Sequence, residues 1–261
     1  MIDSLTHILP VVTGKRTAHE RFPEIIAAAV RVFTRDGYRA ARMSDVARAA
    51  DLSEAALYRY VESKEGLFVL AIRHALLLAD MPAAGTPAGE FPLKAPSLAA
   101  MMAEAKEFVA AEVPFGALAD ALAAATADPA AELDAIVREL FALEAQTREA
   151  ADMIERSARE LPELADLLSA GLRSPVLTAL TEYLERRMAT GDLRPAPDTA
   201  ATARLVLETV TWFARHRYSD TYGATITDRL AADTVADALV YALVAPPFLP
   251  EYRPPDRGKR S

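Results

Sequence analysis

Tyr58, Arg59 and Tyr60 follow one another inside the stretch DLSEAALYRYVESKEGLF, residues 51–68, and set a guanidinium between two phenols. A guanidinium is a planar fork of donors that pairs bidentately with the edge of guanine, and a phenol hydroxyl can reach a phosphate while its ring braces the surface. Glu54, a few residues earlier, could accept from the amino group of cytosine. Ser63 can cap a further helix beginning KEGLF, which places Lys64 and free backbone amides at a helix start, where phosphate is attracted. The chemistry on offer is recognition of a polyanion.

Spacing says which way these groups point. Leu57 and Val61 are four apart and share a helix face, assigned to the core. At about 100° per residue, Arg59 lies about 200° from Leu57 and points outward. Its neighbour on that outer face is Ala55, which is small enough for close approach, whereas ordinary core packing would need apolar bulk there. The preceding stretch, RMSDVARAADL, gives a short helix with Val46, Ala47 and Ala50 on one face; Asp51 and Leu52 then form a tight connection and Ser53 caps the next helix. Two short helices joined in this way form a helix-turn-helix, whose second helix can enter a DNA major groove.

Longer elements must hold this pair. Phe22, Ile25, Ile26, Ala29 and Phe33 recur on one helix face, with Pro23 as a first helical residue and Gly37 just past the end. Helical periodicity returns near 98–112, 115–126, 130–160, 163–172, 175–190, 198–217 and 227–244, the 130–160 stretch reading as one helix or two. No β-strand pattern stands out, so the fold class is all-α. The Pro- and Gly-rich stretch 82–96 reads as a flexible loop and 246–261 as an exposed, disordered tail.

Composition narrows the function. The 261 residues include no cysteine, which excludes disulfides, thiolate metal sites and thiol nucleophiles. No apolar run is long enough for a membrane span and the N-terminus lacks the form of a secretory signal, so a cytoplasmic protein with no membrane partner is expected. The net charge of −8 is unevenly spread: residues 1–75 carry 11 Lys and Arg against 9 Asp and Glu, and the remaining 186 carry 18 against 28. A basic front and an acidic body suit a polyanion partner at the front.

The segment from Ile25 to Phe68 resembles the N-terminal DNA-binding region of TetR-family transcriptional regulators. The resemblance is carried by Phe33 and Gly37, Val46-Ala47, Ser53, Leu57-Tyr58 and Lys64-Glu65, with a looser likeness in GDLRP (191–195) ahead of two final long helices. It implies a homodimer with an N-terminal three-helix helix-turn-helix reader and a larger C-terminal helical ligand-binding and dimerisation domain that takes a small inducer. The expected division is a flexible arm over 1–16, the DNA-binding domain over 17–62, a connecting helix over 63–80, the ligand-binding domain over 81–245 and the tail beyond. The connecting helix, Ser63 to Asp80, is the natural lever between reader and body. Repression is the family expectation, with release from a palindromic operator by the inducer.

Three positions depart from the family pattern. Arg42 stands where a capping Thr or Ser is usual, so that either Ser44 starts the helix later or Arg42 exchanges a cap for a charge. Ala55 and Ala56 replace a common Gly-Thr pair and remove a hydroxyl, and Asp51 replaces the turn Gly, though Asp tolerates the left-handed conformation. The expected DNA-contacting set is Arg42, Ser44, Ser53, Glu54, Ala55, Tyr58, Arg59, Tyr60 and Lys64. The chain has no Asn, and its one Gln, Gln146, lies outside the reader, so the bidentate contact to adenine is missing and a G·C-weighted operator follows. Gly14, Lys15 and Arg16 form either a minor-groove arm or a solvated segment.

The final helices, TAATARLVLETVTWFARHR and DRLAADTVADALVYALV, combine small Ala faces with bulky residues and suit a four-helix interface between two chains, or packing within one. Met101, Met102, Phe108, Tyr183, Trp212, Phe213 and His216 are the candidate ligand-binding residues, each also readable as core. No cofactor or metal is expected: His7, His19, His74 and His216 lack ligand spacing, GKRT at 14–17 lacks the rest of a phosphate-binding loop, and Glu104 with Glu107, or Asp152 with Glu155, read as solvated helix faces. An enzyme is therefore not expected. A helical adaptor that has lost DNA binding is the alternative, resting on the Ala55-Ala56 pair.

Overall fold

The structure is a computed structural model describing residues 18–75, 91–103, 116–166 and 173–249. Phe108, Glu104, Glu107, the segment Gly14–Arg16 and most of the tail lie outside the described residues. Four helices open it: α1 (Ala18–Ala40), α2 (Met43–Ala49), α3 (Glu54–Leu57) and α4 (Lys64–Ala75). A helical turn at 98–103 follows, and then come α5 (Gly116–Ala123), α6 (Pro129–Gln146), α7 (Arg148–Ala158), α8 (Pro162–Asp166), α9 (Ser174–Thr190), α10 (Thr199–Ala214) and α11 (Asp228–Leu243). Among the described residues the extended pairings are two isolated bridges, Val61 with Leu93 and Leu193 with Val244, and the fold is all-α.

Local chemistry sets the helix ends. Asp128, Asp198 and Thr227 cap α6, α10 and α11 by accepting from the amide three residues on, and Gly191 closes α9 in the left-handed conformation. Pro23 does not start α1; it lies inside the helix, which begins five residues earlier. Gly37 breaks the helical path of α1 with φ 78° and ψ 171°, a conformation open to glycine, and the chain makes one more turn to Ala40. The 130–160 stretch divides into α6 and α7 at Thr147, which ends one helix and begins the next.

Two cores result. The front core joins α1–α4 to residues much later in the chain: Met101, Met102, Met153, Ile154 and Leu164 are buried with Ile25, Phe33, Val46, Leu57 and Phe68. The back core is a bundle of α5, α6, α9, α10 and α11 around Leu133, Ile136, Leu180, Val206, Val210, Val235 and Leu239. Here the periodic faces of the last two helices are used within one chain, since Ala203, Ala231 and Ala236 are fully buried. The 246–249 part of the expected tail is instead a short 3-10 turn, with Leu249 against the back core.

Thr147 is the joint between the cores, because α6 belongs to the back and α7 lies along α1 and α4 in the front. Arg148 and Arg215 bridge it at the far end of α10, with Arg217 packed beside them. Arg148 donates through Nε and Nη2 to the carbonyl of Ala214 at 2.9 and 2.7 Å and pairs with Asp228 at 3.0 Å. Arg217, fully buried, also binds Asp228, and its guanidinium and that of Arg148 each lie about 4 Å from the Tyr218 ring. Arg215, nine-tenths buried, meets Glu155 at 2.5 Å, Glu144 at 3.4 Å and Asp152 at 3.7 Å. Asp152 and Glu155, with side chains 44% and 38% exposed, are thus partly solvated, as their spacing suggested, and also ion-pair partners of a buried arginine.

Candidate nucleic-acid interface

α3 is a single turn, held from behind. Leu57 and Val61 are completely buried in the front core, each such burial contributing about 1.5–3 kcal/mol. Before α3, Asp51 takes the left-handed conformation with φ 55°, and its carbonyl accepts from Arg21 Nη2 at 3.3 Å. Ser53 Oγ accepts from the amide of Ala56 at 3.2 Å and caps the helix.

The outer face carries Ser53, Glu54, Ala55, Tyr58 and Arg59, all exposed, and the Tyr58 ring is 44% accessible. Among the described residues the Arg59 side chain has no hydrogen-bond or ion-pair partner. On α2, Ser44 is exposed inside the helix, and Arg42 occupies the cap position without a side-chain bond to the backbone. The alternative at this helix is thereby resolved: a cap is given up, and an exposed guanidinium stands in its place. Arg48, on the same helix, is paired with Asp45 at 2.5 Å.

Two expected contact residues are placed otherwise. Tyr60 turns inward: its ring meets Phe91 edge-on at 5.3 Å, and its carbonyl accepts from the Leu93 amide at 2.8 Å. The cause is the 91–93 segment, expected as part of a flexible loop, which lies against the end of the reader and also brings Phe91 within 5.6 Å of Phe22. Lys64 is half-buried; Nζ donates to the Arg39 carbonyl at 3.1 Å and stands 4.8 Å from the Tyr38 ring centroid. Burial lowers its pKa from the ordinary value. Its charge is thus spent on the end of α1, while Ser63 Oγ caps α4 by accepting from Gly66 at 2.9 Å.

The candidate ligand residues do not converge. Met101 and Met102 are front-core residues, whereas Tyr183 is fully buried in the back bundle. Trp212 is 42% exposed and packs edge-on against half-buried Phe213 at 5.0 Å, and His216 sits half-buried in a 3-10 turn after α10. Tyr183 lies beside the ion pair of Arg187 with Glu132, at 2.8 Å, and its hydroxyl finds no partner at hydrogen-bonding geometry. Burial, with the Glu132 charge, pushes its pKa well up. An open groove of about 480 Å³ between α9 and α10 is lined by other residues, among them Thr178, Thr181, Glu185 and Arg204.

A capped recognition turn on a three-helix front, carried by a separate helical bundle, defines a DNA-reading regulator with a sensing body. Residues 25–71 match the model of bacterial regulatory proteins of the tetR family, and residues 131–245 match that of the AefR-like transcriptional repressor C-terminal domain. The chain belongs to the TetR family and is a DNA-binding transcriptional regulator. Among solved structures it is similar to a ketosteroid transcriptional regulator of Mycobacterium tuberculosis, at 15% identity and a TM-score of 0.54 over 88% of this chain and 97% of that one. It is also similar to AibR in complex with isovaleryl coenzyme A and operator DNA, at 20% identity and 0.51 over 84% and 98%. A TetR-like regulator from Rhodococcus sp. RHA1 is 19% identical, with a TM-score of 0.51 over 87% and 97%. At these identities the likeness concerns the fold. No curated protein sequence matches. Among the described residues no helix is long and apolar enough to cross a membrane.

Proposed function

We propose that two copies of the chain bind a palindromic operator and repress transcription until a small molecule enters the back bundle. Each reader lays the outer face of α3 in a major groove, with half-sites one helical turn or a multiple of it apart. Arg59 reads guanine, Tyr58 and Arg42 hold phosphates, and Ser53 and Glu54 approach the base edges at the start of the helix. The observation that carries this reading is the exposed Arg59 guanidinium, without a partner among the described residues, opposite buried Leu57 and Val61. Without a reader Asn or Gln, the operator is weighted toward G·C at its discriminating positions.

The outer stripe of the last two helices forms the dimer contact. Leu205 and Trp212, seven residues apart on α10, and Leu230 on α11 are 59%, 42% and 56% exposed in the single chain. The inducer lies in the bundle near Tyr183, whose buried hydroxyl, beside the Arg187–Glu132 ion pair, supplies one polar anchor. The isovaleryl coenzyme A bound in one similar structure and the ketosteroid in the name of another support a ligand with an apolar acyl or ring portion. Selecting bound duplexes from a random pool, then screening apolar metabolites for release, tests the whole reading. A G·C-rich palindrome is the expected result; a pool that yields no enriched sequence, or one discriminated at A·T positions, overturns it.

A further inference from the structure

Reader and body meet along α7, and the contacts across that meeting are unevenly satisfied. α7 packs along α1, so that Arg156 Cγ lies 3.5 Å from where a Cβ on Gly37 would be, and Glu160, just past α7, accepts from the Arg39 amide at 2.8 Å. This seats the end of α1, just ahead of α2, on the end of α7. At its other end α7 follows the body helix α6 directly, with Thr147 the one residue between them. A bend at that residue turns the front core, and α3 with it, relative to the bundle.

Arg215 holds both sides of this joint. It projects from the end of α10, reaching Glu144 on the body side of Thr147 and Asp152 and Glu155 on the reader side. Three carboxylates face one guanidinium, of which one makes a close bond and two stand at 3.4 and 3.7 Å. The Nε–H of the same guanidinium is buried without an acceptor. A buried donor left unmade is costly, and surplus acceptors at longer range offer it somewhere else to go. The arrangement is a fork with unequal prongs, able to exchange Glu155 for Glu144 and Asp152 when the joint bends.

We infer that Arg215 is the positioning residue through which the ligand-sensing bundle sets the attitude of the DNA reader, by pinning α7 to α6 across Thr147. The inference rests on the regulator reading above. A ligand that displaces the end of α10 moves the guanidinium, and the reader shifts with α7 by an amount set by the difference in ligand affinity between the two arrangements. Arg148, bonded to the Ala214 carbonyl, keeps the same helix end in register.

The chain contains no cysteine, so introduced cysteines are unique label sites. Glu62→Cys on the reader and Ala135→Cys on α6 are both exposed. Spin labels on this pair, with labelled chain diluted in unlabelled chain, report the distance from reader to body by pulsed electron resonance. The parent gives one narrow distribution. Arg215→Gln and Glu155→Gln broaden it roughly twofold or more, and change affinity for the selected duplex roughly fivefold or more. Arg215→Lys, which keeps the charge but not the fork that spans the joint, folds as the parent does yet keeps the broadened distribution, a split that simple loss of packing or charge would not show. Should Arg215→Gln fail to fold, as judged by circular dichroism, Glu155→Gln decides alone, because its side chain is 38% exposed and its loss leaves two carboxylates beside the arginine. Folded Glu155→Gln protein with the parental distribution and parental affinity overturns the inference. The distance needs no DNA: a pool that yields no duplex sinks the regulator reading, whereas a bound duplex with unmoved distances sinks this inference alone.

Discussion

On the proposed function, three neighbouring side chains in the triplet at 58–60 have three different tasks, and substitution should separate them. Arg59→Ala is expected to relax preference at one base position of a selected duplex by about 1–3 kcal/mol, read by competition against single-base variants. Tyr58→Phe should weaken all sequences alike, as loss of a phosphate contact does. Tyr60→Ala should instead lower the melting temperature, by about 1–3 kcal/mol of stability for a half-buried ring, while Tyr60→Phe leaves duplex affinity unchanged, because that ring faces Phe91. Asp152 makes a prediction of opposite sense to the usual carboxylate. Burial raises its pKa above 3.8 and Glu155 adds to this, with the Arg215 and His216 charges opposing. A carboxyl whose folded value is raised binds its proton more tightly in the native state, so stability falls as pH rises from 3.8 through the folded value. Asp152→Asn is therefore expected to match or exceed the parent in melting temperature at neutral pH and to lack that decline in an acid titration of stability.

At the scale of elements, what was legible in the sequence was whatever local chemistry decides. Ser53 and Ser63 cap the helices they precede, Asp51 takes the left-handed turn, Gly37 breaks α1, and Leu57 with Val61 faces inward because each needs only its near neighbours. Gly37→Ala is accordingly expected to cost about 1–3 kcal/mol, since alanine at φ 78° is strained even where space allows it, and Asp51→Gly to be neutral or stabilising by up to about 1 kcal/mol. Chemical denaturation with an unchanged slope checks both. Long-range partners had no local signal. The Pro-rich stretch before α4's distant neighbour reads as loop by composition, yet Phe91 and Leu93 close over Tyr60. Lys64 looks free until the end of α1 is brought beside it, and the three-residue spacing of Asp152 and Glu155 is the same whether water or Arg215 lies opposite. The candidate ligand residues scatter for the same reason, because apolar periodicity says that a side chain is inside without saying which of two cores it is inside.

For the whole molecule, the inner faces of α10 and α11 are consumed by the back core, and only their outer stripe is left for a partner. Leu205→Glu combined with Trp212→Glu should convert a dimer to a folded monomer, seen by sedimentation, and abolish binding to the full palindrome while sparing circular dichroism. A dimer unchanged by both substitutions would move the contact elsewhere. The front core has a different bearing on the molecule, through the order in which a ribosome delivers it. Met153, Ile154 and Leu164 complete the hydrophobic interior under α1, more than eighty residues after the recognition turn has been made. A nascent chain, or a cloned fragment ending near residue 80, would present the bare apolar side of α1 to solvent and hold its recognition turn loosely. Operator binding would thereby wait until synthesis has passed well into the body, so that a fragment ending near residue 80 is expected to bind a selected duplex more weakly than the whole chain does, read by the same competition assay.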